Sequence, residues 1–377
     1  MYSKQRTKFE HLKNKKLISR IRNEVVITMR AVRLFAPGDV RCVEVERSQL
    51  EKDNDVIIKV KACGVCGSDI MRVMEKGTYS YPTTIGHEFA GDIVSLGNRV
   101  QNLNLGDRVT VMPLIHCGYC NYCHVGEYVL CDNYKYYGSR IDGAMAEYIR
   151  VNADNVLKLP DNVDYEAGAM TDPVAVALHA VRKIRLEPGQ QVVLLGMGPI
   201  GFLALQWLKI IGAGKVYVVD IFDEKLKQAE SFGADYVING KKQNVANLIK
   251  EQTKGEGVDA AIELAGNKVT QVQAIQVVRK MGTVVYCGIS YDDLIIPNLE
   301  LSKILRGELT LHGAWNSSIS PFPINEWKNS LNLMDSGKIK TASLISHRFK
   351  LEECKHCFDM MYHKKELFNK VMFKLED

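Results

Sequence analysis

No apolar run in this 377-residue chain approaches the roughly 18 residues that a membrane-crossing helix requires. Residues 1–28 also lack the uninterrupted apolar stretch of a secretory signal, and their charges continue through Arg20 and Arg22, so export is not expected. Internal repeats and low-complexity tracts are missing. A basic surface of the kind that grips nucleic acid is missing too, although the formal net charge is +5. Eight Lys/Arg and two Glu of the first 28 residues account for the excess, leaving 41 basic and 42 acidic residues, a net of −1, in the remainder. The segment 1–28 is read as a basic N-terminal extension outside the core, because Met29 directly precedes a strand-like run, Arg30 to Phe35; a basic helical arm is the other reading.

What is present describes a folded two-domain protein. The length exceeds one ordinary core, 46% of residues are hydrophobic and 25% charged. Ten cysteines without a signal peptide point to a reducing cytoplasm. Four of them, Cys117, Cys120, Cys123 and Cys131, are spaced C-x2-C-x2-C-x7-C with Gly118 and small polar residues between. Closely spaced soft thiolates suit tetrahedral zinc, whereas such near neighbours make poor disulfides. A structural zinc lobe is expected over about 113–135.

From Met29 to about Ala180 short strands alternate with turns, for example Val56 to Ala62 and Gly91 to Gly97. After Pro188-Gly189 the texture becomes strand, glycine turn and helix in repetition: Val192 to Leu195, a helix to about Ile211, Val216 to Val219, then units at Asp223 to Phe232, Asp235 to Ile238, Val258 to Leu264 and Thr283 to Gly288. This pattern predicts a doubly wound parallel sheet over 181–313. Pro321 and Pro323 mark a loop, and the tail, ending in a helix and the strand Val371 to Phe373, is expected to return to the β-rich domain of 29–180, giving it 314–377 as well.

Gly196-Met197-Gly198-Pro199-Ile200-Gly201 is a G-x-G-x-x-G between a predicted strand and a predicted helix. Asp220 ends the next strand, where a carboxylate accepts hydrogen bonds from an adenosine ribose. The glycines allow a tight turn and close approach of a pyrophosphate to the helix N-terminus. A carboxylate at Asp220 repels a 2′-phosphate and Ile221-Phe222 offer no adjacent Arg, so NAD is expected rather than NADP.

Cys66, His87-Glu88 and Asp172 have metal-ligand chemistry but lie far apart in sequence, so spacing alone proves nothing. Together with the four-cysteine run, Gly86-His87-Glu88, the glycine turn and the later acidic residue, all in order, they make residues 29–377 resemble the zinc-dependent medium-chain dehydrogenase/reductase family. That resemblance implies an α/β two-domain architecture: a GroES-like β-rich catalytic domain and a Rossmann domain. It implies two zinc ions per chain, one structural and one catalytic, the latter held by Cys66 and His87 with Glu88 and Asp172 as the carboxylates. Asp172 stands where polyol dehydrogenases of the family carry Glu, so a water-bridged role is its alternative. Ser68 aligns with the family's proton-relay hydroxyl, and Met71 replaces a relay His. Asp69 is read as a brace of its loop, and Cys63 as buried packing. The implied reaction is oxidation of an alcohol with hydride transfer to NAD in a homodimer or homotetramer.

Within the family, the stretches Tyr137 to Tyr148, Leu301 to Leu309 and Gly313 to Ser318 resemble most the dehydrogenases of polyol phosphates, galactitol 1-phosphate foremost. A phosphorylated substrate wants a cation, and Arg140, Lys303, Arg306 and Arg72 are the candidates. Trp315 and Asn316 fall where relatives line the substrate pocket. Free polyol, diol or threonine dehydrogenases are the near alternative, and a non-catalytic NAD-binding sensor is the distant one. Cys354 and Cys357, flanking His356, read as core packing rather than a third metal site.

Overall fold

The computed structural model describes residues 27–320 and 325–375. The proposed basic extension therefore lies outside the described residues up to Val26, as does the loop expected at Pro321 and Pro323.

The β-rich part begins with β1 (Thr28–Ala36), one residue ahead of Met29, paired antiparallel with β2 (Asp39–Glu46) and with β4 (Thr83–Thr84). The eleven-residue β3 (Asp55–Val65) is buried along most of its length, which its run of Val, Ile and Ala dictates. It pairs antiparallel with β5 (Glu88–Leu96), β9 (Tyr148–Asn152) and the distant β18 (Lys370–Lys374). With β6 (Arg108–Val111), β10 (Val156–Lys158) and β17 (Ile345–Phe349) these form one sheet in the order β10-β6-β5-β3-β18-β17, β9 branching from β3. The tail thus returns to the β-rich sheet. β17, parallel to β18, is absent from the sequence reading: Ser346, His347 and Arg348 break its apolar pattern.

The second sheet is wholly parallel. β11 (Gln191–Leu195), β12 (Lys215–Asp220), β13 (Tyr236–Asn239), β14 (Val258–Glu263), β15 (Val278–Tyr286) and β16 (Thr310–Gly313) are ordered β13-β12-β11-β14-β15-β16. β15 starts five residues before the predicted strand, because a bulge lets Val278 pair with Val258 and Thr283 with Ala260. The order reverses next to β11, which opens a crevice at the strands' carboxyl ends.

The Thr171–Lys183 helix joins the two parts. Val174, Ala177, Leu178 and Val181 are buried in the same core as Phe202 and Trp207, whose indole Nε1 donates to the Val174 carbonyl at 3.0 Å. Each of the Val, Leu and Phe side chains contributes about 1.5–3 kcal/mol on burial. The rigid seat fixes the helix's first turn, and with it Asp172, against the β-rich sheet. That sheet has a core of its own around Ile58, Phe89, Phe358 and Phe373.

Candidate active site and metal centres

Cys66 directly follows β3 and is the N-cap of the short Gly67–Met71 helix. Its N–H donates to Asp69 Oδ2 at 3.1 Å, and Asp69 also pairs with Arg72. Burial opposes ionisation of Asp69, yet His87, Arg72 and the Cys66 amide hold its carboxyl down at about 2. Asp69 is therefore the brace that orients this loop. Its Oδ1 also lies 3.5 Å from His87 Nδ1, an approach without hydrogen-bond alignment. With Nδ1 turned to Asp69, Nε2 is the nitrogen left for a metal. Ser68 Oγ lies 3.3 Å from Cys66 Sγ.

Glu88, on the first residue of β5, forms a buried ion pair with Lys370 at the start of β18, and Lys370 also donates to the Val65 carbonyl at 3.1 Å. Burial works against the Lys370 charge, but Glu88 outweighs it and keeps the ammonium protonated. Ligand atoms of Cys66, His87 and Glu88 all lie within 4.8 Å of one another. Asp172 falls outside that set. It is buried, its Oδ1 has no hydrogen-bond partner, and burial pushes its carboxyl up to about 7. A buried carboxyl oxygen without a partner, within electrostatic reach of the His87 imidazole, is a costly arrangement that a divalent cation relieves. The mixed sulfur, nitrogen and oxygen donors suit zinc.

The four-cysteine lobe is closed at its base by β7 (Leu114–Ile115) paired with β8 (Lys135–Tyr136). Sγ atoms of Cys117 and Cys123 are 3.9 Å apart, those of Cys120 and Cys123 3.5 Å. A tetrahedron with arms of about 2.3 Å has edges of about 3.8 Å, so the four thiols match a zinc site and are far outside disulfide contact. Stacking of His116 on Tyr128, centroids 4.1 Å apart, holds one wall of the lobe. Among the described residues no other group of metal-type ligands gathers; Cys63, Cys354 and Cys357 are buried thiols whose pKa values burial raises.

The glycine turn shows a division of labour. Gly196 has φ +105° and its Cβ would stand 2.8 Å from the Ala265 amide; a Cβ at Gly201 would collide with the Gly196 carbonyl. A Cβ at Gly198, by contrast, would meet nothing within 4 Å, and Pro199 begins the Pro199–Ile211 helix. The open side of Gly198 at a helix N-terminus is the space a pyrophosphate needs; Ile200 continues the helix's first turn. Asp220 accepts from the amides of Met197 and Ile221, both at 2.7 Å, and Phe222 at 3.0 Å. The sequence considered only arginine near this acid. The fold brings lysines: Lys225 and Lys241 lie 5.7 and 5.9 Å from the Phe222 ring, and Asp220 acts on the charge of Lys225.

The proposed substrate residues separate. Arg140 is held between Tyr79 and Tyr134. Asn316 has φ +57° and its side chain reaches the Tyr136 hydroxyl, while the neighbouring Trp315 is half exposed. Arg72 is taken up by Asp69, Arg306 by Ser302 of its own helix, and Lys303 donates to the Gln276 carbonyl at 2.6 Å. Two site residues escaped the sequence reading. Tyr136 sets its ring edge-on to His87, centroids 5.4 Å apart. Lys370 was visible as a lone cation at the mouth of an apolar strand, a placement that demands a buried partner.

Comparison with known proteins agrees with this geometry. Residues 52–161 match the family described as alcohol dehydrogenase GroES-like domain, and residues 199–336 match zinc-binding dehydrogenase. The chain is 35% identical to galactitol 1-phosphate 5-dehydrogenase of Escherichia coli (strain K12), covering 86% of this chain and 94% of that protein. It is 32% identical to sorbitol dehydrogenase of Bacillus subtilis (strain 168), covering 85% and 90%. The crystal structure of galactitol-1-phosphate dehydrogenase from Escherichia coli superposes with a TM-score of 0.87 at 33% identity, covering 92% of this chain and all of that one. The chain belongs to the zinc-binding medium-chain dehydrogenases, a GroES-like catalytic fold joined to a Rossmann fold, and is an oxidoreductase of the alcohol and polyol type.

Proposed function

We propose that this chain is an NAD-linked dehydrogenase that oxidises a secondary alcohol of a polyol phosphate, of the galactitol 1-phosphate kind, to the ketose phosphate. The observation that carries the reading is the gathering of Cys66 with the buried His87 and Glu88, whose ligand atoms lie within 4.8 Å of one another, and the buried Asp172, on whose carboxyl the His87 charge acts. A zinc ion held there supplies Lewis-acid polarisation of the substrate hydroxyl, and bound NAD supplies the hydride acceptor. The chain's own residues do the rest. Ser68 stands beside Cys66 to take the hydroxyl proton and pass it outward to water, so that one alcohol yields one ketone, one reduced cofactor and one proton. Asp69 and Lys370 orient His87 and Glu88, and Gly198 leaves room for the pyrophosphate.

A second zinc belongs in the four-cysteine lobe, where it serves structure. Asp220, set against a 2′-phosphate, favours NAD over NADP despite Lys225 and Lys241. Unpaired cysteines throughout the described residues favour work in the cytoplasm. A homodimer or homotetramer is the assembly expected. The relationship to sorbitol dehydrogenase keeps a free polyol as the second reading. Absorbance of NADH across galactitol 1-phosphate, other polyol phosphates, free polyols, diols and threonine decides between them. Turnover is expected on the phosphates; turnover confined to unphosphorylated substrates removes the phosphate assignment, and none on any alcohol removes the enzyme assignment.

A further inference from the structure

We infer that Arg140, clamped between Tyr79 and Tyr134, is the residue that reads the substrate's phosphate. This rests on the polyol-phosphate reading above and adds the place where that group is recognised. The guanidinium carbon lies 4.3 Å from the centroid of the Tyr79 ring and 4.4 Å from that of Tyr134. Both rings thus lie within cation–π reach of the guanidinium. Among the described residues no carboxylate pairs with it; Nη2 makes only long contacts, 3.4 and 3.5 Å, to the two phenol oxygens, Nη1 donates to nothing, and Nε is walled off without a partner. An arginine fixed for packing would find a carboxylate or carbonyl for that fork. Two rings that hold the plane and leave its donors unspent prepare it for an oxyanion.

The clamp is also in the right place. Tyr134 meets Tyr136 edge-on with centroids 6.4 Å apart, and Tyr136 meets His87 in the same way at 5.4 Å. Three consecutive ring contacts therefore lead from the guanidinium to a metal-ligand imidazole, while the outer wall, Tyr79, is 72% exposed. A substrate with its reacting hydroxyl at Cys66 and His87 would extend its far end, with the phosphate, along this row of rings towards Arg140. The other cations considered, Arg72, Lys303 and Arg306, have their donors occupied elsewhere. Pre-ordering the fork also lowers the entropy lost when the dianion binds.

The test compares kcat/KM for galactitol 1-phosphate and for galactitol in the wild-type holoenzyme, Arg140→Met, Arg140→Lys and Tyr79→Leu, the last altering an exposed ring that the fold does not need. The phosphate-to-polyol ratio is expected to fall about 100-fold in Arg140→Met, the scale of one lost charged contact, less in Arg140→Lys, and several-fold in Tyr79→Leu. Competitive inhibition by inorganic phosphate should weaken in the same order. If wild type prefers the phosphate and all three variants keep its ratio, the assignment of Arg140 is overturned while the polyol-phosphate reading stands. If wild type shows no preference, both fall together.

Discussion

At the residue scale, three glycines of one turn make opposite predictions. Gly196 and Gly201 are required by the protein itself, the first by φ +105° and the Ala265 amide, the second by the Gly196 carbonyl. Gly198 is surrounded by open space. Gly201→Ala is therefore expected to lower stability by about 1–3 kcal/mol, as overpacking does, seen as a reduced urea midpoint. Gly198→Val should melt as wild type does yet bind NADH at least tenfold more weakly by fluorescence titration, since the side chain enters the pyrophosphate space. Equal melting and equal NADH affinity in Gly198→Val would place the cofactor elsewhere. Lys370 shows a different kind of constraint. Replacing Glu88 or Lys370 alone strands a buried charge, so the pair has to be considered as one object even though its members lie 282 residues apart.

At the scale of elements, the lobe between β7 and β8 is a unit whose thiols face one another rather than the crevice. Cys120→Ser is expected to reduce bound zinc, measured by elemental analysis of the purified protein, from two ions per chain to one. Proteolysis should then cut first within 113–135, with turnover at low temperature retained at about the wild-type level because no lobe cysteine belongs to the Cys66 cluster. Loss of both ions together would contradict two independent sites. This lobe and the parallel sheet were legible in the sequence because their signals are local: cysteine spacing, glycine turn, strand and helix periodicity. What was not legible is long-range. The seat of Tyr136 on His87, the Glu88–Lys370 pair and the approach of Lys241 to Phe222 each depend on pairings that no short window of sequence contains, whereas Lys225, three residues after Phe222, was within reach of a local reading. β17 went unseen because its interior residues are polar, His347 and Arg348 making their bonds to Glu366 and Glu166 across its edge.

At the scale of the whole molecule, the parallel sheet ends at β16, whose outer edge has no strand partner among the described residues. Leu311 of β16 is exposed, as are Met281 of β15 and Leu299 and Leu305 of the Asn298–Gly307 helix that precedes β16. A second copy pairing at this edge, as proposed above for a homodimer, would extend one sheet across a two-fold axis and cover these apolar side chains. Light scattering after gel filtration is expected to give at least a dimer, and Leu305→Glu with Leu311→Glu to give a monomer; a wild-type monomer at micromolar concentration would refute this assembly.

The position of β18 between β3 and β17 also sets an order of events during synthesis. The parallel sheet is built from consecutive strands and is complete once β16 has left the ribosome. The β-rich sheet is not, because β18, the strand between β3 and the edge strand β17, waits for Lys370 to return to Val65, 305 residues upstream. Until then β3 keeps an open flank of unpaired amides and carbonyls, and Glu88 has no counter-charge. The part of the protein translated first is thus expected to finish folding last; limited proteolysis of ribosome-stalled chains should show 181–313 protected before 29–180, and the reverse order would refute it.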